Sequence, residues 1–367
     1  MQSTKKIRVM IVEDSRVARE LLEYVIDQDP RLEVAAAVAS AEEALRLLHR
    51  ISPDVVSMDV RLPGMNGLEA TQRIMKEKPT PIVVVAASVE SEDLRISMNA
   101  LRVGALAIVE KPLGATRDDY QSVARHLCTQ LALMSQVKVV RQRFTLNVPA
   151  GQANVRALAP CVRPLSGPGA SFRLAGVVAS TGGPAALQKI LGNVHPRFPI
   201  PIALVQHIAE GFLEGFVSWL DDICPLRVVV AKGGQTPMPA TVYVAPADRH
   251  LCLASGQWHL DTGPAVSSQR PSGTILFRSL ARELGARALG ILLTGMGEDG
   301  AAGLKELCDA GGYTIAEDES TAVVYGMPRV AVRLGAVRES LPLHDIGPRL
   351  EQLVLPDRSV NQRNSHG

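Results

Sequence analysis

Three residues in the second half of the chain could together cleave an ester or an amide: Ser180, His207 and Asp299. A serine hydroxyl is a poor nucleophile until a base takes its proton. Histidine is the natural base near neutral pH, and a carboxylate on its far nitrogen fixes the tautomer and stabilises the imidazolium. Ser180 follows the apolar run L-A-G-V-V-A, His207 follows I-A-L-V-Q, and Asp299 follows I-L-L-T-G-M-G-E. Thr181-Gly182-Gly183-Pro184 marks a helix start, whose N–H groups favour negative charge and would suit an oxyanion. The tight turn Gly295-Met296-Gly297 offers a further N–H. No G-x-S-x-G elbow surrounds Ser180, so the common lipase-type fold is not indicated.

A second constellation lies in the first 111 residues: Glu13 and Asp14 after one apolar run, Asp59 after another, and Lys111 before Pro112. Clustered carboxylates repel one another unless a hard cation joins them, and Mg²⁺ suits such an oxygen set. A carboxylate beside Mg²⁺ can attack a phosphoryl group, because the metal neutralises the oxygens being transferred.

Each residue also has a plainer reading. Ser180 and Asp299 could cap helices, and His207 could be a satisfied strand-end histidine. Asp248 and His250, in V-A-P-A-D-R-H, rival Asp299 and His207 as orienter and base, and spacing does not rank the pairs. The acidic residues could be surface charges, a reading weakened by their joint placement at separate strand ends.

What must position these groups is two α/β units. The pattern predicts strands at Ile7 to Val12, Leu32 to Val38, Val55 to Met58, Ile82 to Ala86 and Ala105 to Val109. Helices fall at Ser15 to Gln28, Ala41 to Ile51 and Leu68 to Glu77, with a last amphipathic one through Tyr120, Val123, Leu127, Leu131 and Met134. A Pro/Gly-rich stretch follows. Further strands are predicted at Leu174 to Ala179, Ile202 to Val205, Val228 to Val230, Thr241 to Ala245 and Leu289 to Leu293, with helices at Pro184 to Leu191 and Gly300 to Ala310. Apolar strands alternating with helices mean two doubly wound parallel sheets, whose ligands sit off the carboxyl ends of the strands. The expected organisation is a first domain over 6–124, a helix end and linker over 125–170, a catalytic domain over 171–356 and a polar tail over 357–367.

The first segment resembles a response-regulator receiver domain, through V-E-D-S, M-D-V-R-L-P-G-M-N-G-L and E-K-P. That resemblance implies a flavodoxin-like fold, Asp59 as phosphoacceptor, Glu13, Asp14 and Asp59 as Mg²⁺ ligands, and Lys111 in contact with the phosphoryl group. Two positions depart from the pattern: Ala86 replaces the usual Ser or Thr, with Ser88 the nearest hydroxyl, and Asn66 stands where Asp is common. The second segment resembles the chemotaxis protein-glutamate methylesterases, through A-S-T-G-G-P, V-Q-H, V-A-P-A-D-R-H, Q-R-P-S, L-F-R-S, L-L-T-G-M-G-E-D-G-A-A-G-L and G-M-P-R. It implies Ser180 as nucleophile, His207 as base and Asp299 as orienter, with Thr181, Gly182 and Met296 lining the oxyanion site. Ala247 and Glu298 stand where that family often has Gly and Asn. The implied reaction is demethylation of receptor glutamates, with glutamine deamidation beside it and no cofactor in the esterase unit. The implied partners are methyl-accepting chemoreceptors as substrate and a chemotaxis histidine kinase as phosphodonor. The domain order suggests steric control, with the unphosphorylated receiver covering the catalytic edge.

Composition excludes other classes. A formal net charge of +2 demands no nucleic-acid partner, and no basic helix-turn-helix follows the first domain, which disfavours a transcriptional regulator. A non-catalytic adaptor would not need Ser180, His207 and Asp299 intact. No run is apolar enough to insert in a bilayer. Five scattered cysteines argue against a disulfide framework or zinc site and fit a reducing cytoplasm.

Overall fold

The computed structural model describes residues 5–86, 91–112, 117–137, 139 and 172–355. Ser88, most of the expected linker and the polar tail lie outside the described residues. The chain divides into two compact units, Met1–Gln152 and Ala153–Gly367.

The first unit runs β1 (Ile7–Val12), α1 (Arg16–Asp27), β2 (Leu32–Val38), α2 (Ala41–Ile51), β3 (Val55–Met58), α3 (Gly67–Glu77), β4 (Ile82–Ala86), α4 (Ser91–Arg102), β5 (Ala107–Glu110) and α5 (Arg117–Met134). Its sheet is parallel throughout, in the order β2-β1-β3-β4-β5, the flavodoxin-like winding. Strands β3 and β4 are wholly buried, which is why they read as unbroken apolar runs rather than as alternation. The helix α4 was not foreseen, and β5 sits about two residues later than the apolar pattern suggested.

The second unit runs β6 (Leu174–Ala179), α6 (Gly183–Leu191), β7 (Ile202–Gln206), α7 (Glu210–Ile223), β8 (Arg227–Val230), β9 (Thr241–Val244), β10 (His250–Ala254), β11 (Gln257–Asp261), α8 (Gly273–Glu283), β12 (Ala288–Leu292), α9 (Ala301–Asp309), β13 (Tyr313–Glu317), α10 (Met327–Arg333), β14 (Glu339–Leu341) and α11 (Leu343–Val354). Seven parallel strands stand in the order β14-β13-β12-β6-β7-β9-β8. The chain leaves β6 toward β7 and later returns to β12 on its other side, so β6 marks the topological switch point, where a site is expected.

A separate antiparallel hairpin, β10-β11, departs from the purely parallel expectation. Its turn is Ser255-Gly256, both at positive φ (49° and 75°), and this Ser-Gly pair was the sequence signal available for it. Helices α8 and α9 press on the sheet where it carries no side chain: a Cβ on Gly176 would lie 2.7 Å from Leu280 Cδ1, and one on Gly290 2.6 Å from Leu304 Cδ1. Leu280 and Leu304 join Phe277, Leu292 and Trp258 in the core. Cys128, Cys224 and Cys252 are free thiols.

Candidate active site

Ser180 is the first residue past β6 and His207 the first past β7. Ala179 and Gln206 pair in the parallel ladder, and His207 N–H donates to Ala179 O at 3.0 Å, carrying the pairing one step further. The two residues therefore leave neighbouring strands at one level. The His207 ring Nε2 lies 2.9 Å from Asp299 Oδ2. An ionised carboxylate can only accept, so Nε2 carries the proton and the neutral ring keeps its lone pair on Nδ1. That Nδ1 is buried and has no hydrogen-bond partner among the described residues. The ring is turned the other way round from the serine-protease template, in which Nδ1 faces the carboxylate. Among the described residues the Ser180 hydroxyl makes no hydrogen bond either, and Ser180 caps no helix, since Gly182 is the N-cap of α6.

Asp299 is a helix cap as well, but of a different helix from the one that follows it. Its carboxylate accepts from the Ser272 hydroxyl (2.5 Å), and from Gly273 N–H (2.6 Å) and Thr274 N–H (3.2 Å), two of the orphan donors at the start of α8. Gly300 N–H donates back to the Thr274 hydroxyl at 2.9 Å. A Cβ on Gly273 would meet Val178 Cγ1 at 2.4 Å, so only glycine lets α8 begin this close to β6. Burial alone would push the Asp299 carboxyl up. The bonds from His207, Ser272 and Gly273 outweigh it and hold Asp299 below its ordinary range, ionised opposite the histidine.

The rival pair is engaged with other partners. His250 accepts Ser272 N–H at Nδ1 and donates from Nε2 to Pro264 O, both at 3.1 Å, so it has no lone pair to spare. Asp248 is spent on an exposed ion pair with Arg270. Two of the expected N–H donors are also taken: Gly183 N–H by Ser180 O, and Gly295 N–H by Val324 O. The N–H groups of Gly182 and Met296 make no bond among the described residues, and the Met296 side chain is exposed.

Sequence reasoning missed Ser272 and Thr274, and it passed over Gln206. The latter is buried at the end of an apolar strand, and its Nε2 donates to Ser180 O (3.0 Å) and His207 O (2.9 Å). A polar residue in the last position of V-Q-H was the available signal. A Cβ on Gly183 would lie 2.1 Å from Gln206 Oε1, which accounts for that glycine.

In the first unit, Glu13, Asp14 and Asp59 each bring a carboxylate oxygen within 4.8 Å of the others. Lys111 Nζ stands 2.9 Å from Glu13 Oε2 and 3.0 Å from Asp59 Oδ2. Burial pushes the carboxyls of Glu13 and Asp59 up, and their mutual repulsion raises Glu13 further; Lys111 offsets this in part. The crowding of hard oxygens in excess of nearby positive charge fits a small divalent cation. Gly67 lets the following loop close on this edge, since a Cβ there would lie 2.1 Å from Asp59 O. Ala86 offers no hydroxyl, but its carbonyl accepts Lys111 N–H at 3.0 Å. Asn66 caps α3, accepting Glu69 N–H at 2.9 Å.

Fold and geometry define a class: a two-unit α/β protein with a carboxylate-oriented histidine beside a serine in one unit, and an acidic cluster under a lysine in the other. The CheB methylesterase family matches residues 175–350, and the response regulator receiver domain matches residues 9–119. A protein-glutamate methylesterase/protein-glutamine glutaminase of Paramagnetospirillum magneticum is 52% identical over 96% of this chain and 98% of its own length. Relatives of the same name in Myxococcus xanthus and Nitrosospira multiformis are 44% and 42% identical, over 94% and 95% of this chain and 96% and 97% of their own. The chain belongs to the CheB methylesterase family, with an N-terminal receiver domain.

Proposed function

We propose that the chain hydrolyses glutamate methyl esters on the cytoplasmic domains of chemoreceptors, deamidates receptor glutamines at the same site, and is controlled by phosphorylation of Asp59. The observation that carries this reading is the His207 ring, bonded to a buried carboxylate on one nitrogen with the other buried and unpartnered, one strand from Ser180. Ser180 Oγ attacks the ester carbonyl as His207 Nδ1 takes its proton. The C–O bond to the methoxy group breaks, and His207 returns the proton so that methanol leaves. Water then attacks the acyl-enzyme by the reverse relay, freeing the glutamate carboxylate. Gly182 and Met296 N–H, with Thr181 beside them, are the groups assigned to the oxyanion.

In the receiver unit, Glu13, Asp14 and Asp59 are the residues that would hold Mg²⁺, which supplies charge neutralisation on the phosphoryl oxygens. Asp59 accepts the phosphoryl group from a chemotaxis histidine kinase, and Lys111 supplies the fixed positive charge beside it. This reading places the enzyme in the cytoplasm. No described helix is long and apolar enough to cross a membrane.

The test is methanol release from a methylated receptor fragment by the full chain, with and without a small-molecule phosphodonor and Mg²⁺. Wild type is expected to release methanol faster with the phosphodonor, and Asp59→Asn to lose that response. Absence of methanol release under either condition would overturn the reading.

A further inference from the structure

One buried carboxylate near the site has no part in the mechanism above. Glu317 ends β13 and is fully buried. Its Oε2 accepts Thr294 N–H at 2.8 Å, and its Oε1 accepts the Thr321 hydroxyl at 3.2 Å. Thr321 in turn accepts Leu343 N–H at 2.9 Å, which ties this end of the chain of bonds to the start of α11.

The other end reaches the nucleophile through Thr294. Thr294 O accepts Ser180 N–H at 3.0 Å. The Thr294 hydroxyl donates to Thr181 O and accepts Val324 N–H, both at 2.9 Å. Every polar group of Thr294, itself fully buried, is thus committed: two to the turn that carries Ser180, one to Val324, and its N–H to Glu317. The turn has little slack, because a Cβ on Gly182 would stand 2.7 Å from Val323 Cβ and 3.2 Å from Thr294 Oγ1. Removing the acceptor at 317 would leave a buried N–H unsatisfied, and the strand end carrying Thr294 would have to move to find water.

We infer that Glu317 is a positioning residue of the esterase, which holds the Ser180 turn in register with His207 by clamping Thr294 to Thr321. It touches neither substrate nor reacting atoms. The inference rests on Ser180 being the nucleophile.

Two near-isosteric variants of the full chain separate positioning from packing. Glu317→Gln keeps an acceptor for Thr294 N–H, and Glu317→Met keeps the volume without it. The readouts are the rate of phosphonylation of Ser180 by a fluorophosphonate, and kcat and KM for methanol release from a methylated receptor fragment. Glu317→Met is expected to lower the labelling rate and kcat by ~10–100-fold, the scale of a small misplacement of a reacting group, with KM little changed. Glu317→Gln is expected to stay within about threefold of wild type on both. Equal rates for the two variants, or wild-type rates in Glu317→Met, would overturn the inference.

Should Glu317→Met fail to fold, Thr321→Val removes the hydroxyl that orients the carboxylate at a half-buried position. It is expected to slow labelling by about 3–10-fold, and an unchanged rate would count against the clamp. A wild type that is labelled at Ser180 but releases no methanol contradicts the proposed function and leaves the labelling comparison to judge Glu317. A wild type not labelled at Ser180 sinks both.

Discussion

At the scale of single residues, Asp299 joins two tasks that are often separate. The same carboxylate orients His207 and caps α8, so its replacement should be felt in both activity and stability. Asp299→Asn presents an amide donor to a nitrogen that already carries a proton. We expect kcat to fall by roughly 10³–10⁴-fold, as when a triad carboxylate is replaced and the tautomer reverses. The melting free energy should also fall by about 1–2 kcal/mol through the weakened cap. Kinetics and denaturant melts on the same preparation check both. Asp248→Asn, by contrast, touches only an exposed pair with Arg270 and should leave kcat within about twofold.

Glu317 gives a pH signature. Burial pushes its carboxyl up to about 6 from an ordinary 4.5, against the opposing hydrogen bonds from Thr294 N–H and the Thr321 hydroxyl. The folded state holds the proton more tightly than the unfolded one, so stability from this group is full below about pH 4.5 and is lost as pH rises through about 6. Glu317→Gln removes that loss. Its stability relative to wild type should improve by about 2 kcal/mol between pH 4 and pH 8, read from urea melts across that range.

At the scale of elements, the site is made by strand ends and by the close approach of α8. The strand ends were legible: Ser180, His207 and Asp299 each follow an apolar run, and β6, β7 and β12 lie within a residue or so of their expected limits. What brings α8 in was not legible, because the donors Ser272, Gly273 and Thr274 serve a carboxylate 25 to 27 residues away. No local period or cap motif announces such a contact. The resolution of His250 against His207 was hidden for the same reason, since it depends on Pro264 O and Ser272 N–H meeting one ring. Gly182, at φ 80° and pressed on Val323, is an exacting backbone position. Gly182→Ala should cost about 1–2 kcal/mol from the left-handed conformation alone. It should also slow Ser180 labelling by a fluorophosphonate, because the substitution strains the turn that carries Ser180.

At the scale of the whole molecule, two parallel sheets use the same device, a topological switch point whose strand ends gather charged or reactive groups. In the first unit that edge gathers carboxylates under Lys111; in the second it gathers a serine, an imidazole and a carboxylate. Replacing Lys111 by methionine should leave Glu13 and Asp59 without their shared counter-charge. We expect the phosphodonor response to vanish, while basal methanol release stays within about threefold of wild type. The claim on which all of this depends is that the reaction passes through Ser180. The most direct measurement is an acid quench during turnover of a methylated receptor fragment, followed by mass spectrometry of the peptide containing residue 180. A receptor glutamyl adduct on Ser180, absent in Ser180→Ala together with turnover, is the predicted result. Methanol release that continues in Ser180→Ala, or turnover in wild type with the covalent adduct on another side chain, would contradict it.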